Sequence, residues 1–270
     1  MTDADPTTGW DLDFPARTLW AGRDLYVGEW RCPGAEPLVS REVSRHVELG
    51  LQRQGMHVRT VGRERRVVDP ITATFTRAGD EYLMRSPMAP QRSTALLVRG
   101  ALLDEVAPRL EVRFARVSPE VARLHARLHR AIDPVDVEET ALALIGRAVA
   151  DARRRADDLE ASFARRTLAE EVRHVIAGRF RERLTLGVIA AACGHSTFYV
   201  SRAFRAATGE TVHAHLTRVR VHAALFELGR SAGELTRLAL AVGFSSHSHF
   251  AQAFRAEFGV APSRLAGRSA

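Results

Sequence analysis

Lysine is absent from the 270 residues, and cysteine occurs only twice, at Cys32 and Cys193. Two cysteines so far apart make no disulfide framework and no cysteine-based zinc site. No window approaches the ~18 apolar residues a membrane helix requires. The first residues, MTDADPTTGWDLDFP, have neither a basic start nor an apolar run, so they do not read as a secretory signal. Nucleophile elbows, phosphate loops and metal-ligand clusters are also missing, and no catalytic residue is expected. These absences predict a cytoplasmic, non-enzymatic chain without membrane, metal or cofactor partner. A hydrophobic share of 46% still provides for a real core.

Arginine is therefore the only strong base, and its distribution is uneven. Arg181 to Ala270 holds eleven Arg against five Glu, or +6 of the formal net charge of +7. A locally basic segment fits a polyanion, because each neutralised phosphate releases condensed counterions.

Three parts follow along the chain. Residues 1–117 read as β-rich, with short apolar runs (LYVGEW, PLVSREV, RVVDPITATFTRA, EYLMRS, STALLVRGALL) separated by turn signals at Pro33-Gly34 and Ala78-Gly79-Asp80. Closely spaced strands of this kind predict a small sandwich or barrel. Residues 118–165 turn helical. Ser118-Pro119-Glu120 starts a helix with Leu124, Leu128 and Ile132 on one side. Asp133-Pro134 breaks it, and a second helix carries Ala141, Leu142, Ile145 and Val149 on one face. That pair is suited to packing on a neighbour or on a second copy of the chain.

Residues 166–268 hold the strongest pattern. A short helix from Thr185, a turn at Gly194 and a second helix capped by Ser196 make a helix-turn-helix plan. The inward positions of that second helix are Phe198, Val200, Ala203 and Phe204. Further on, Leu235–Val242, Gly243 and a cap at Ser245 or Ser246 repeat the plan, with Phe250 and Phe254 inward. The glycine turns lie 49 residues apart, and each copy ends at a matching glycine, Gly209 or Gly259. Between them, Val212, Leu216, Val219, Ala223 and Phe226 are spaced for one connecting helix of about 27 Å at 1.5 Å per residue. Such a connector can set two recognition helices near the ~34 Å repeat of successive major grooves.

From Leu184 to Leu265 the chain resembles the AraC/XylS family of bacterial transcription regulators. The residues that carry the resemblance are Leu238-Ala239, Gly243-Phe244-Ser245, Ser248, Phe250, Phe254-Arg255, Phe258-Gly259-Val260 and Pro262. Two departures are the shortened loop Gly229–Glu234 and Leu265, where the family commonly has an aromatic. Thr74 to Tyr82 resembles a strand–turn–strand segment of cupin-like sensory domains. The resemblance implies a multidomain α and β chain: a β-rich cupin-like barrel (1–117), a helical linker (118–165) and an all-α domain with two helix-turn-helix units (166–268). The closely spaced histidines of a metal-binding cupin are absent, since only His46 and His57 precede His125.

In a helix-turn-helix the exposed N-terminal half of the second helix enters the major groove. Those positions are Thr197, Phe198, Ser201 and Arg202 in the first unit and His247, Ser248, His249 and Gln252 in the second. Arg202 suits guanine, Gln252 adenine and the Phe198 ring a thymine methyl, unless that ring is core. Arg205, Arg255, Arg218 and Arg220 are expected at phosphates.

His247 and His249 diverge on a helix, and His125 with His129 lacks a third ligand, so neither pair is assigned a metal. Cys193 is read as core, and Trp10, Trp20 and Trp30 as packing before pocket. The partners expected are double-stranded promoter DNA, a small-molecule effector, a second copy of the chain and RNA polymerase. The alternative is an effector-independent regulator whose N-terminal domain binds a protein.

Overall fold

The period-two runs of the first hundred residues do form strands. The computed structural model describes residues 10, 16–87, 89–106, 112–153, 163–228 and 235–266. They divide into two compact units, Met1–Ala156 and Asp157–Ala270.

In the first unit the strands are β1 (Ala16–Ala21), β2 (Leu25–Cys32), β3 (Leu38–Val43), β4 (Val47–Gln54), β5 (His57–Val61), β6 (Glu64–Val68), β7 (Thr72–Thr76), β8 (Glu81–Ser86), β9 (Gln91–Val98) and β10 (Phe114–Arg116). A short helix, α1 (Gly100–Val106), lies between β9 and β10. One sheet has the order β1-β2-β9-β4-β7-β10, the other β3-β8-β5-β6, and every pairing is antiparallel. Among the described residues the two sheets face each other without closing into a barrel, which refines the cupin-like expectation.

Two of the expected runs prove composite. RVVDPITATFTRA is two strands in different sheets, because Pro70 has no amide to extend a ladder. Asp69 closes that corner, its Oδ1 accepting from the Ile71 amide at 3.2 Å and the Thr72 hydroxyl at 2.7 Å. STALLVRGALL begins as β9 and ends as α1. Leu96 of β9 lies opposite both Val27 and Leu49 and is fully buried, which sets the register at the centre of the larger sheet.

Helix α2 (Pro119–Leu128) starts as expected, the Ser118 hydroxyl accepting from the Val121 amide. It stops at Leu128, so Ile132 lies outside it and is 86% exposed, against the expected stripe. Asp133 then caps α3 (Pro134–Arg153), its Oδ1 accepting from the Val135 amide at 2.8 Å. The buried side of α3 is Val137, Ala141, Leu144, Ile145, Ala148, Val149 and Ala152, packed on α2, β10 and β1. Leu142, expected on that side, is exposed. Thus the apolar stripe serves the unit's own core.

The second unit is all-helical: α4 (Phe163–Arg179), α5 (Leu186–Ala192), α6 (Thr197–Thr208), α7 (Val212–Glu227), α8 (Leu235–Ala241), α9 (His247–Phe258) and α10 (Pro262–Ala266). Phe250, Phe254 and Phe258 recur every fourth residue on α9, 0–1% exposed, with successive ring centroids 5.6 Å and 4.6 Å apart. Rings at this spacing stack along one helix face and gain contact energy beyond their burial. Val200, Ala203 and Phe204 form the buried side of α6.

Candidate functional site

Each helix-turn-helix unit is built by the same local chemistry. Thr185 caps α5, accepting from the Val188 amide, and Ser196 caps α6, accepting from the Tyr199 amide. Between them Gly194 takes φ +70°, and the His195 amide reaches back to the Ala190 carbonyl at 3.0 Å. In the second unit Gly243 takes φ +93°, and the Phe244 amide reaches the Ala239 carbonyl at 2.9 Å. Left-handed backbone at the helix end, closed by such a back-bond, is the glycine C-cap. The cap of α9 is Ser246, not Ser245, so the second turn is one residue longer than the first. The added residue lets Phe244 fold inward, 3% exposed, with its ring 5.4 Å from that of Phe250.

All eight residues expected to read bases are exposed, on the N-terminal halves of α6 and α9. Phe198 is 70% exposed, which corrects its place among the inward residues of α6. Its ring lies under the Arg202 guanidinium at 5.3 Å. Arg205 and Arg255 are exposed one turn later. Arg218 and Arg220 point elsewhere. Arg218 pairs with Glu210 and Glu257, and Arg220 donates to the Phe180 and Glu182 carbonyls, both at 2.8 Å. Their guanidinium groups hold the domain together, which corrects their expected placement at phosphates. Cys193 is half-buried at the end of α5, where burial and Glu171 push its thiol up, and it is not a core residue.

Sequence reasoning missed the polar spine of α7. His215 and His222 are buried, bonded to Glu210 at 2.9 Å and Glu257 at 2.8 Å, with Arg218 between them. Their i, i+3, i+7 spacing was a legible signal, since it puts all three on one helix face. This spine decides the surface electrostatics. Glu182 pairs with Arg179 and Glu227 with Arg181, so every described carboxylate after residue 181 is held by a cation or histidine of the unit. Arg183, Arg202, Arg205, Arg255 and Arg264 have no ion-pair partner among the described residues, which leaves a basic surface around the two capped helices. Helix N-termini add their partial positive charge on the same side as the reading positions.

The first unit holds a cavity of about 210 Å³ between its sheets. Trp30, Leu38, Glu42, Arg59, Tyr82 and Met84 are among its lining residues. Of the other tryptophans, Trp10 packs against Tyr26, Ala95 and Leu97, while Trp20 is half-buried on β1. His57 is buried beside Arg59, and these two causes hold its imidazole down at about 3, hence neutral. On the other face of the larger sheet, Thr94 Oγ lies 2.7 Å from both His125 Nε2 and His129 Nε2. Arg53 donates to His129 Nδ1 at 3.0 Å, so the neutral His129 carries its proton on Nε2 and donates it to Thr94.

A family model of the helix-turn-helix domain matches residues 189–268. The transcriptional activator AarP of Providencia stuartii is 30% identical over 97 residues, 36% of this chain and 72% of that protein. The regulatory protein SoxS of Salmonella typhimurium is 31% identical over 80 residues, 30% of this chain and 75% of that protein. AdaA of Bacillus subtilis, a bifunctional transcriptional activator and DNA repair enzyme, is 31% identical over 86 residues, 32% of this chain and 41% of that protein. Among solved structures, ToxT of Vibrio cholerae aligns over 90% of this chain and 95% of its own, at 10% identity and a TM-score of 0.39. The matched relatives and the two capped helix-turn-helix units agree: this chain belongs to the AraC/XylS family of DNA-binding transcription regulators.

Proposed function

We propose that α6 and α9 read successive major grooves of one promoter site, through Thr197, Phe198, Ser201 and Arg202 on one helix and His247, Ser248, His249 and Gln252 on the other. The observation that carries this is the exposure of all eight side chains on capped helix starts, within a surface whose described carboxylates are all engaged. Arg205 and Arg255 contact phosphate beside them. Alanine at both Arg202 and Gln252 will reduce the preference for the cognate operator over random DNA by about 1–3 kcal/mol per lost base contact. Circular dichroism will be unchanged, because both side chains are exposed and outside the core. Operator preference that survives both changes overturns the assignment.

The β-rich unit is the sensory part, and a small molecule in its cavity alters transcription through coupling between two sites. The cavity supports this reading, since a mostly apolar lining with a few charged groups, Glu42, Glu48 and Arg59, is the make-up of a small-molecule site. A second copy of the chain docks on the outward side of α3, where Val135 and Leu142 are 62% and 41% exposed and Ala143, Gly146 and Ala150 lie beside them. Contact with RNA polymerase and residence in the cytoplasm belong to the same reading. No helix among the described residues is long and apolar enough to cross a membrane.

A further inference from the structure

Strand β3 carries its polarity in reverse for a sandwich. Val39 and Val43 are 63% and 53% exposed, whereas Ser40 and Glu42 line the cavity with Leu38. Packing alone would put the valines inside. Two strands across on β5, beyond β8, Arg59 is 6% exposed, its guanidinium 3.6 Å from the centre of the Tyr82 ring. It makes no hydrogen bond or ion pair with a described residue, and its Nε is buried without an acceptor. Among the described residues Glu42 receives only neutral donors, Ser40 Oγ at 2.8 Å and the Tyr82 hydroxyl at 2.7 Å. A cation on the face of Tyr82 and an anion at its hydroxyl thus share one cavity, neither with a charged partner of its own.

A buried guanidinium without acceptors is strongly unfavourable in an empty protein. Its planar fork of donors matches the two oxygens of a carboxylate. Glu42 offers the complementary site for an ammonium. In the same lining, Gln52 Oε1 is a buried acceptor without a partner among the described residues, while the Gln52 amide nitrogen donates to the Gln54 carbonyl at 2.8 Å. A plain carboxylic acid would leave Glu42 unmatched and draw repulsion from it and from Glu48; a plain amine would face Arg59. One molecule carrying both groups satisfies both.

We propose that this cavity binds a small zwitterionic aminocarboxylate, with its carboxylate on Arg59, its ammonium on Glu42 and its carbon skeleton against Leu38, Met84 and Trp30. The volume of about 210 Å³ has room for a ligand of amino-acid size. This rests on the effector-controlled reading above and names the chemical class of the effector.

The test is calorimetry and thermal shift on the full chain with 6-aminohexanoate, L-leucine and L-phenylalanine. Hexanoate, hexylamine, 3-phenylpropionate and phenethylamine are run beside them. At least one aminocarboxylate will bind roughly 10- to 100-fold more tightly than its matched acid and amine. Arg59→Met and Glu42→Gln will each lose that preference with circular dichroism unchanged. Unliganded Arg59→Met will melt no lower than the parent chain, because it removes an unmatched buried charge. A fall of several degrees in that variant makes Arg59 a structural residue and overturns the proposal. Binding of an acid or amine as tightly as the zwitterion overturns the class and leaves an effector site standing. A blank from these probes and from a broad set of neutral compounds overturns both readings, and selective operator binding is scored separately.

Discussion

At the scale of single residues, two glycines with the same motif position have different physical reasons. Gly194, at φ +70°, has no atom within 4 Å of where a Cβ would stand, so only its left-handed backbone favours glycine. Gly243, at φ +93°, would place that carbon 2.6 Å from the Phe180 carbonyl oxygen and 2.8 Å from Arg220 Nε. Gly194→Ala should therefore destabilise by about 1 kcal/mol. Gly243→Ala should exceed it, at roughly 3 kcal/mol, because strain and a backbone clash add. Urea unfolding of both variants checks this; equal losses would mean that the Phe180 loop gives way. The same scale separates the arginines. Arg205 and Arg255 stand free at the surface, whereas Arg218 and Arg220 bind their own domain. Alanine at Arg205 or Arg255 should weaken binding to every DNA sequence alike and flatten the slope of log K against log salt by about 1 each.

At the scale of elements, β9 and α2 meet through a chain of neutral hydrogen bonds. Burial, then Arg53, Arg17 and Arg31, hold His129 at about 3, and burial followed by His129 and Arg53 holds His125 well below its usual value. These groups accept a proton more readily when unfolded, near 6.5, than when folded. Their contribution is therefore complete above about pH 6.5 and is lost as pH falls toward 3, with His57 acting in the same window. Each such histidine should tilt stability by up to about 1.4 kcal/mol per pH unit there. Urea titrations from pH 7 to 4, followed by tryptophan fluorescence, should show the β-rich unit weakening first, since all three tryptophans lie in it. Thr94→Val should weaken it at neutral pH by about 2 kcal/mol, because two buried imidazole nitrogens lose their partner. A pH-independent midpoint would mean that these histidines titrate normally.

At the scale of the whole molecule, the two reading faces differ, Thr/Phe/Ser/Arg against His/Ser/His/Gln, so one chain should recognise an asymmetric site spanning two grooves. Inserting about 5 base pairs between the two half-sites turns one groove away and should abolish selective binding, while about 10 should restore part of it. Gel-shift titrations with spaced operators measure this; indifference to spacing would mean that only one unit reads DNA. Much of this was legible in the sequence. Capping serines, helix-ending glycines and four-residue aromatic spacing are local devices, acting within one or two turns of chain, so Gly194, Gly243, Ser196 and the α9 phenylalanines could be read directly. What only the tertiary structure decided depends on residues far apart in the chain. Glu257 meets His222, Gly243 meets the Phe180 carbonyl, and Glu42, Arg59 and Tyr82 gather from three strands. Side-chain partners across such distances follow from strand order and helix packing, which no local pattern encodes. For that reason the sequence by itself pointed to a DNA-binding family and to candidate reading positions, and the folded sheets alone disclosed an unmatched arginine and glutamate in one cavity.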